Sequence, residues 1–210
     1  GELKLPKKLQ MSPIRNIGII GGGQLARMLS MACADLGLCV HIYCPEKDCP
    51  AAQVSNSITN GDYTDKKKLL KFSKPLDILT YEFENIDTVG LKEIEKEITI
   101  FPPVESLEIA QDRYLEKSFL QSLGIRTTPF YKIDNSLELE LLLKKKKKQF
   151  ILKTRRFGYD GKGQVRIKNY SDIKRNFPRH LLAPSIAEEV LDFDKEISII
   201  LARDTKGKIK

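Results

Sequence analysis

The feature that most constrains the fold is a short apolar run, Ile17–Ile20, that ends at three consecutive glycines, Gly21–Gly23. A run without polar residues is typical of a buried strand in a parallel sheet. The glycines interrupt the strand, and apolar side chains then recur at three- and four-residue spacing, which predicts a helix ending near Gly37. The ordered part of the chain therefore begins with a strand, a tight glycine turn and a helix.

The alternation of strands and helices continues through the first half of the chain. Apolar runs predict three more strands, at residues 38–43, 77–81 and 98–101. Amphipathic segments predict two more helices, at residues 69–72 and 89–97. Such an order forms a parallel sheet with helices on both faces. Since Pro102 and Pro103 end the last strand, we predict a Rossmann-like α/β domain over residues 14–103, preceded by a leader or tag at residues 1–13.

The second half of the chain predicts an α+β domain over residues 104–210. Helices are predicted at residues 112–123 and 136–148, and strands at residues 130–133, 150–154, 165–168, 186–191 and 196–202. The last strand leads into a turn at residues 204–207, and three residues follow the turn. Because a strand without a partner is unfavourable, we expect the domain to be incomplete within this sequence.

An excess of positive charge favours anionic partners. The chain has 36 Lys and Arg residues against 28 Asp and Glu, which gives a net charge of +8. Five lysines are consecutive, Lys144–Lys148, at the predicted end of a helix, where the helix dipole favours cations. Because no aromatic residue interrupts this run, it lacks the stacking platforms of a single-strand binding surface. We therefore expect no nucleic-acid partner.

The cysteines and the hydropathy pattern bear on location. Cys33, Cys39, Cys44 and Cys49 form no C-x-x-C pair and lie near no histidine cluster, so a zinc site is not predicted. Cysteines of this kind favour a reducing compartment, and we expect a cytoplasmic protein. No apolar run reaches the roughly 18 residues of a membrane span, so no membrane partner is expected.

The first glycine loop predicts a phosphate-binding turn. Residues 21–26 follow a strand, open a helix and fit the pattern G-x-G-x-x-A. Glycines let the backbone approach a phosphate, whose charge the helix N-terminus favours. A dinucleotide site would also need an acidic residue at the end of the second strand, where Glu46 comes slightly late. An NAD-dependent dehydrogenase stays open as an alternative to a phosphate site for another small molecule, with Gln24 as a hydrogen-bonding group.

A second glycine-rich loop carries the most specific signal. It has Gly158, Gly161 and Gly163 within six residues, between two predicted strands. This position excludes a Walker P-loop, which opens a helix, although its backbone N–H groups could still bind phosphate oxygens. Positive side chains stand where a transferring phosphoryl group would need them, namely Lys153, Arg155, Arg156 and Lys162. On composition alone, a mobile hairpin tip with solvated charges is an equal alternative.

In these motifs the chain resembles the ATP-grasp carboxylate–amine ligases, and among them the N5-carboxyaminoimidazole ribonucleotide synthetases. The second loop, G-Y-D-G-K-G-Q at residues 158–164, is close to the form seen in those enzymes. Other segments resemble the family in the right order, over about residues 14–209. They are residues 19–28, 49–51, 80–85, 111–113 and 188–191, with Glu196.

The resemblance implies a fold and a reaction. The fold would be a pre-ATP-grasp domain followed by an incomplete ATP-grasp domain, and the substrates would be ATP, bicarbonate and 5-aminoimidazole ribonucleotide. Bicarbonate would attack the γ-phosphate to give carboxyphosphate. The amine would then capture the carboxyl group, giving N5-carboxyaminoimidazole ribonucleotide for purine (IMP) biosynthesis. A glycine-rich flap would exclude water from the unstable intermediate.

The resemblance also implies roles for single residues. Asp160 and Lys162 would be catalytic, and Gln24, Leu25 and Glu82 would bind the ribonucleotide. The ATP phosphates would be bound by Arg113 and Lys153. The flap over the nucleotide would consist of Gly158, Tyr159, Asp160, Gly161, Lys162, Gly163 and Gln164. The adenine edge would contact Glu188, Glu189, Val190 and Leu191, and the ribose would contact Glu196. Without the resemblance, Arg113 could pair with a carboxylate on its own helix, and Glu82 could be a surface residue at a strand end.

Other features of the family are expected outside this sequence. Its Mg²⁺ ligands, a Glu and an Asn-Glu pair, would follow Lys210, so no metal ligand is predicted within the chain, while ATP and Mg²⁺ are the expected cofactors. We expect little ligase activity from these residues alone, and a homodimer for the full-length protein. Alternatives are an ATP-grasp ligase of the formate-dependent glycinamide ribonucleotide transformylase or biotin carboxylase type, and a non-catalytic nucleotide-binding module.

Overall fold

The computed structural model of the chain describes residues 14–158, 162–180 and 183–210. These residues form two compact units, the first ending at Gln111 and the second beginning at Asp112. The first unit extends beyond Pro103, where the sequence predicted its end. The reason is a helix at Val104–Ala110 that buries Val104 and Leu107 in the core of that unit.

The first unit is a doubly wound parallel sheet, which confirms the Rossmann-like prediction. Its strands are β1 (Asn16–Ile20), β2 (Cys39–Cys44), β3 (Ser57–Asn60), β4 (Ile78–Tyr81) and β5 (Thr99–Ile100). They lie in the order β3-β2-β1-β4-β5, and every neighbouring pair is parallel. The connecting helices are α1 (Gln24–Asp35), α2 (Lys66–Ser73), α3 (Thr88–Glu95) and α4 (Val104–Ala110), with a 3₁₀ helix at Pro50–Gln53.

Both faces of this sheet are covered, as the apolar run of β1 predicted. Ile19 packs with Ile42 in one buried cluster, and Ile20 packs with Leu79 in another. Because successive side chains of a strand point to opposite faces, the two clusters lie on opposite sides of the sheet. The sequence did not predict β3, because Ile58 is the one apolar residue among its four.

The second unit is built on an antiparallel sheet, which confirms the α+β prediction. Its strands are β6 (Phe130–Ile133), β7 (Phe150–Thr154), β8 (Gln164–Ile167) and β9 (Ser185–Glu189), in the order β6-β9-β7-β8. Its helices are α5 (Arg113–Ser122), α6 (Ser136–Lys146) and α7 (Tyr170–His180). Leu139 of α6, Ile173 of α7 and Phe150 of β7 belong to one buried cluster, which attaches these two helices to the sheet.

Helix ends follow local sequence signals. Four helices begin at a side chain that accepts a backbone N–H, namely Asp65 before α2, Asp87 before α3, Asp112 before α5 and Asn135 before α6. Helix α5 ends before Gly124, whose φ of +75° lies in the left-handed region that favours glycine. The sequence did not indicate α7, since Ile173 is the one buried apolar side chain among residues 170–175.

The strand predicted at residues 196–202 is wrong. The alternation of Ile197 and Ile199 suggested it, but these side chains are 77% and 71% exposed. Within the described part of the chain, residues 196–201 join neither sheet, and an apolar alternation forms a strand only beside a hydrogen-bonding neighbour. The turn that follows is as predicted, since Gly207 N–H donates to Asp204 O at 3.0 Å and Arg203 bridges to Ile209.

Candidate functional site

The glycine loop after β1 lies against the carboxylate of Glu82. Gly21 has a φ of +113°, and its N–H donates to Tyr43 O at 2.9 Å. A Cβ atom on Gly21 would lie 2.5 Å from Glu82 Oε2, and a Cβ atom on Gly23 would lie 2.7 Å from Glu82 Oε1. These distances are well inside van der Waals contact. The carboxylate can therefore occupy this place only because both positions are glycine.

The order of the strands explains why Glu82 meets this loop. Strands β1 and β4 are neighbours, with Ile20 opposite Tyr81, and Glu82 N–H donates to Ile20 O at 2.8 Å. Their carboxyl ends lie side by side, at the edge where doubly wound sheets bind ligands. Gln24 and Leu25 follow in the first turn of α1, with exposed side chains. The structure thus brings the three residues predicted to bind the ribonucleotide to one edge of the sheet.

Two buried thiols lie beneath the middle of the loop. Cys44 Sγ and Cys49 Sγ are 3.0 Å apart, and a Cβ atom on Gly22 would lie 2.7 Å and 2.5 Å from them. Burial, assisted by the hydrogen bond to Cys49, raises the pKa of the Cys44 thiol to about 12. Cys44 is therefore a neutral packing residue rather than a nucleophile at physiological pH.

An aromatic pair next to Glu82 was not indicated by the sequence. The rings of Tyr63 and Phe83 are stacked with their centroids 4.8 Å apart, and Phe83 is 38% exposed. Burial raises the pKa of the Tyr63 phenol well above its usual value, with neighbouring acidic groups contributing. The pair is formed by residues from two different connections of the sheet, so no spacing along the chain could reveal it.

The second glycine-rich loop is held at both ends. Thr154 N–H donates to Gly163 O at 2.9 Å, and a Cβ atom on Gly163 would lie 2.7 Å from Thr154 Oγ1. At the other end Arg113 Nη2 donates to Gly158 O at 2.6 Å. Arg113 therefore contacts the loop, rather than making the helix carboxylate pair that the sequence left open. The predicted residues Tyr159, Asp160 and Gly161 lie outside the described residues.

Glu188 lies between two lysines. Lys153 Nζ is 2.7 Å from Glu188 Oε2, and Lys117 Nζ is 3.2 Å from Glu188 Oε1. The three side chains are 22%, 18% and 9% exposed, in the order Lys153, Lys117, Glu188. Lys117 was missed in the sequence, although it follows Arg113 by four residues and therefore lies on the same face of α5. This cluster is a largely buried group of charges that includes two of the predicted nucleotide residues, Lys153 and Glu188.

A bidentate ion pair fixes the start of α5 to the end of β7. Arg155 Nε and Nη2 donate to the two oxygens of Asp112 at 2.9 Å and 2.5 Å, and Arg113 N–H donates to Arg155 O at 3.0 Å. Burial alone would raise the pKa of Asp112. The hydrogen bonds from Arg155 and from the Tyr114 and Leu115 N–H groups outweigh burial, so this pKa lies below its usual value. The pair places Arg113 beside the glycine-rich loop.

The other predicted nucleotide residues are less closely gathered. Glu189 accepts hydrogen bonds from Lys148 and from the Tyr131 hydroxyl, and the hydrogen bond from Lys148 lowers its pKa. Val190 and Leu191 follow β9 and are 37% and 58% exposed. The remaining three are also exposed, Lys162 and Gln164 at the end of the glycine-rich loop and Glu196 after β9. The described contacts do not connect Glu196 to the Glu188 cluster.

A surface cavity elsewhere in the first unit coincides with none of these residues. It has a volume of about 640 Å³ and is lined by residues of α2 and by Glu97 and Ile98 before β5. No predicted site residue lines it. The candidate site residues of each unit therefore lie away from this cavity, on the glycine loop of that unit and its charged neighbours.

Neither a metal centre nor a membrane span is found in the described residues. Over residues 14–158, 162–180 and 183–210, no three His, Cys, Asp or Glu side chains are grouped so that they could hold a metal ion. Over the same residues, no helix has both the length and the apolar character needed to cross a membrane. The described residues thus contain no such cluster for the Mg²⁺ that the resemblance implies.

Two family models match the chain, one for each unit. The ribonucleotide synthetase preATP-grasp domain matches residues 14–111, and the ATP-grasp domain matches residues 118–210. The parallel sheet with its glycine loop is the first of these domains, and the antiparallel sheet with its glycine-rich hairpin belongs to the second. The fold therefore defines an ATP-grasp protein with a preATP-grasp domain.

Individual relatives indicate which ATP-grasp proteins this chain is similar to. N5-carboxyaminoimidazole ribonucleotide synthase of Brucella melitensis is 41% identical over 204 residues, covering 96% of this chain and 56% of the relative. A Staphylococcus aureus N5-carboxyaminoimidazole synthetase structure with ADP has a TM-score of 0.89 at 34% identity, covering 99% of this chain and 54% of the other. The Aspergillus clavatus structure with ADP and 5-aminoimidazole ribonucleotide has a TM-score of 0.75 at 25% identity, covering 84% and 46%.

The chain belongs to the N5-carboxyaminoimidazole ribonucleotide synthase family, which confirms the resemblance in its motifs. It spans about half the length of the curated synthases that it matches.

Proposed function

We propose that this chain provides substrate-binding residues of an enzyme that carboxylates 5-aminoimidazole ribonucleotide with ATP and bicarbonate, in purine biosynthesis. The products are N5-carboxyaminoimidazole ribonucleotide, ADP and phosphate. The observation that carries the proposal is the position of the Glu82 carboxylate on the first glycine loop, at the ligand-binding edge of the preATP-grasp sheet. The names of the relatives, and the ADP and ribonucleotide bound in similar structures, support it.

In the first unit, Glu82 would act as a hydrogen-bond acceptor for the ribonucleotide. Its carboxylate already occupies the place nearest Gly21 and Gly23, so a phosphate there would meet a like charge. We therefore expect hydroxyl or amino groups of the ribonucleotide to face Glu82. The Gln24 amide would add a donor and an acceptor, and the exposed Leu25 would add an apolar contact. The same charge argues against a dinucleotide pyrophosphate on this loop.

In the second unit, cationic side chains would bind the ATP phosphates. Arg113 and Lys153 flank the glycine-rich loop at residues 158–164, and they would place positive charge where phosphoryl transfer needs it. The residues after β7 would close over the nucleotide as a flap. The adenine edge would contact backbone groups of residues 188–191, at and just after the end of β9, and Glu196 would bind the ribose hydroxyls.

The proposed reaction requires these residues to orient the ribonucleotide amine and to exclude water. A bicarbonate oxygen attacks the γ-phosphorus, ADP leaves, and carboxyphosphate forms. The ribonucleotide amine then takes up the carboxyl carbon and phosphate leaves, so the amine must be oriented and water must be excluded. Gln24, Leu25 and Glu82 would orient the ribonucleotide. Asp160 and Lys162 would face the ribonucleotide and the intermediate from the flap, where the Lys162 ammonium group would offset the negative charge of the carboxyphosphate.

Cofactor, assembly and location complete the proposal. Mg²⁺ would supply charge stabilisation at the phosphates, through ligands that the described residues do not offer. The full-length protein would be a cytoplasmic homodimer. The cytoplasmic assignment is supported by four cysteines that are all free thiols, although Cys44 and Cys49 lie close together.

The test is thermal melting of the chain with 5-aminoimidazole ribonucleotide, with ATP and magnesium chloride, and with glycinamide ribonucleotide. A ligand that binds the folded state raises the melting temperature, and we expect the first two to do so. Glu82→Gln keeps the size of the side chain, and should weaken binding of 5-aminoimidazole ribonucleotide by about tenfold with the ATP response unchanged. Glu93→Gln, at an exposed pair with Lys96, is the matched control.

Two outcomes would contradict the proposal. A shift with glycinamide ribonucleotide but not with 5-aminoimidazole ribonucleotide would indicate the transformylase type of ATP-grasp enzyme. A chain that melts cooperatively but responds to neither ATP nor 5-aminoimidazole ribonucleotide would remove the assignment of both sites.

A further inference from the structure

Lys117, Glu188 and Lys153 form a buried cluster with one positive charge in excess. The two ammonium groups lie 3.2 Å and 2.7 Å from different oxygens of the one carboxylate. The Glu188 side chain is 9% exposed, so its charge depends on these neighbours rather than on water. The Lys153 ammonium group thus pairs with Glu188 in this structure. Under the proposed function, the same group would bind an ATP phosphate.

We propose that Lys117 is a positioning residue that releases Lys153 to the nucleotide by keeping Glu188 neutralised. This inference rests on the proposed function, because it assumes that Lys153 binds an ATP phosphate. With two cations on one carboxylate, Lys153 can turn to a phosphate and leave a neutral Lys117–Glu188 pair behind. With one cation, the same movement leaves a buried carboxylate without its counter-ion, which is strongly unfavourable.

The positions of the two lysines indicate which of them moves. Lys153 lies near the end of β7, next to Thr154, whose N–H binds the far end of the glycine-rich loop. Lys117 lies in the middle of α5, and its ammonium group is 5.8 Å from the centroid of the Phe130 ring. The lysine beside the loop can therefore exchange partners, while the lysine on the helix stays with Glu188.

The inference predicts a specific pattern of ATP affinities in the 210-residue chain. Lys117→Met should weaken ATP binding by about tenfold, because Lys153 is then the only one of the two cations left for Glu188. Lys117→Arg should keep near-wild-type affinity, because it retains the charge. The double variant Lys117→Met/Glu188→Gln should recover most of the lost affinity, since no buried carboxylate is left to compete for Lys153.

The measurement is isothermal titration calorimetry with ATP in magnesium chloride, with the melting temperature of each variant recorded without nucleotide. Lys132→Met is the matched control, because Lys132 lies in the same unit and pairs with Asp134 at an exposed position. A structural role for Lys117 would lower the melting temperature, and Glu188→Gln would not restore ATP affinity. The rescue by Glu188→Gln therefore separates positioning from simple stabilisation.

The outcomes distinguish this inference from the function on which it rests. A wild-type chain that does not bind ATP would overturn the proposed function. Normal ATP binding by the wild type and equally by Lys117→Met would overturn the inference alone, as would a double variant as weak as Lys117→Met. If Lys117→Met does not fold, Lys117→Gln takes its place, with the same expected loss of ATP affinity. Equal ATP affinities for Lys117→Gln and Lys117→Arg would then contradict the inference.

Discussion

The three glycines of the first loop are required for different reasons. Gly21 has a positive φ and also lies against Glu82, so both its backbone and its surroundings favour glycine. Gly23 lies against the other oxygen of Glu82, whereas Gly22 lies against the sulfur atoms of Cys44 and Cys49. At the scale of residues, the loop is thus packed between a carboxylate and two thiols, and a methyl group at each position tests a different contact.

Gly22→Ala should destabilise the fold by about 1–3 kcal/mol, the usual cost of forcing extra volume into a packed core. The added Cβ atom would lie 2.5 Å from the buried Cys49 Sγ. Urea unfolding measures the loss. The control is Gly90→Ala in α3, where the added Cβ atom would lie 3.4 Å from the flexible Lys66 side chain. We expect that variant to be neutral or slightly more stable. Equal stabilities for the two variants would contradict the packing described here.

Asp112→Asn should reveal a pH-dependent contribution from the pair with Arg155. The pKa of Asp112 is lowered in the folded state, so the pair stabilises the fold above the usual aspartate value of about 4. That stability is lost as pH falls through the lowered pKa. Since Asn can still cap α5, the variant should lose about 1–3 kcal/mol at pH 7 and progressively less as the pH falls below about 4. Urea unfolding across this range would contradict the assignment if the difference stayed constant.

At the scale of elements, the sequence predicted those strands and helices whose apolar residues face a core. Strand β1 is an example, since its apolar run packs into the core on both faces of the sheet. Helix α1 forms where the sequence predicted it, but apolar side chains that indicated it, such as Leu25 and Met28, are exposed, and its buried residues are Ala26 and Ser30. The prediction from sequence failed where the apolar pattern does not correspond to the packing in the structure. Strand β3 has one apolar residue but completes the sheet edge through backbone hydrogen bonds. Residues 196–201 include apolar side chains but join neither sheet of the described chain. In such cases a contact with a segment that is distant in the sequence decides the structure. The local sequence pattern carries no information about that contact.

The end of α6 offers a test at this scale. Lys147, the residue after the helix, has a φ of +51°, in the left-handed region that favours glycine. Lys147→Gly should therefore stabilise the protein by about 0.5–1 kcal/mol, by relieving backbone strain. Lys145→Gly, inside the same helix, should instead destabilise it by about 1 kcal/mol. Thermal melting of both variants distinguishes them, and a loss of stability at both positions would contradict the left-handed helix end.

At the scale of the whole molecule, the two units show how far a sequence can locate a site. Motifs placed Glu82 directly after a strand and Lys153 near the end of a strand, and the structure has both residues at those positions. The motifs could not select Lys117, whose importance comes from a carboxylate 71 residues later in the chain that only the fold of the second unit brings within 3.2 Å. Clusters of charged residues from elements that are far apart in the sequence are the part of a site that the sequence does not reveal.

The net charge of +8 gives a last prediction for the whole molecule. Within Lys144–Lys148, Lys148 pairs with Glu189 and Lys146 lies over the Tyr131 ring, whereas Lys144 and Lys145 are exposed helix residues. We expect weak, sequence-independent binding to duplex DNA at low salt, governed by counterion release. Lys144→Gln/Lys145→Gln should reduce the salt dependence by up to about two phosphate contacts without changing the responses to ATP or 5-aminoimidazole ribonucleotide. Filter binding at several salt concentrations measures this. Tight binding to one sequence that persists at high salt would contradict the prediction and would favour a nucleic-acid-binding function for the lysine run.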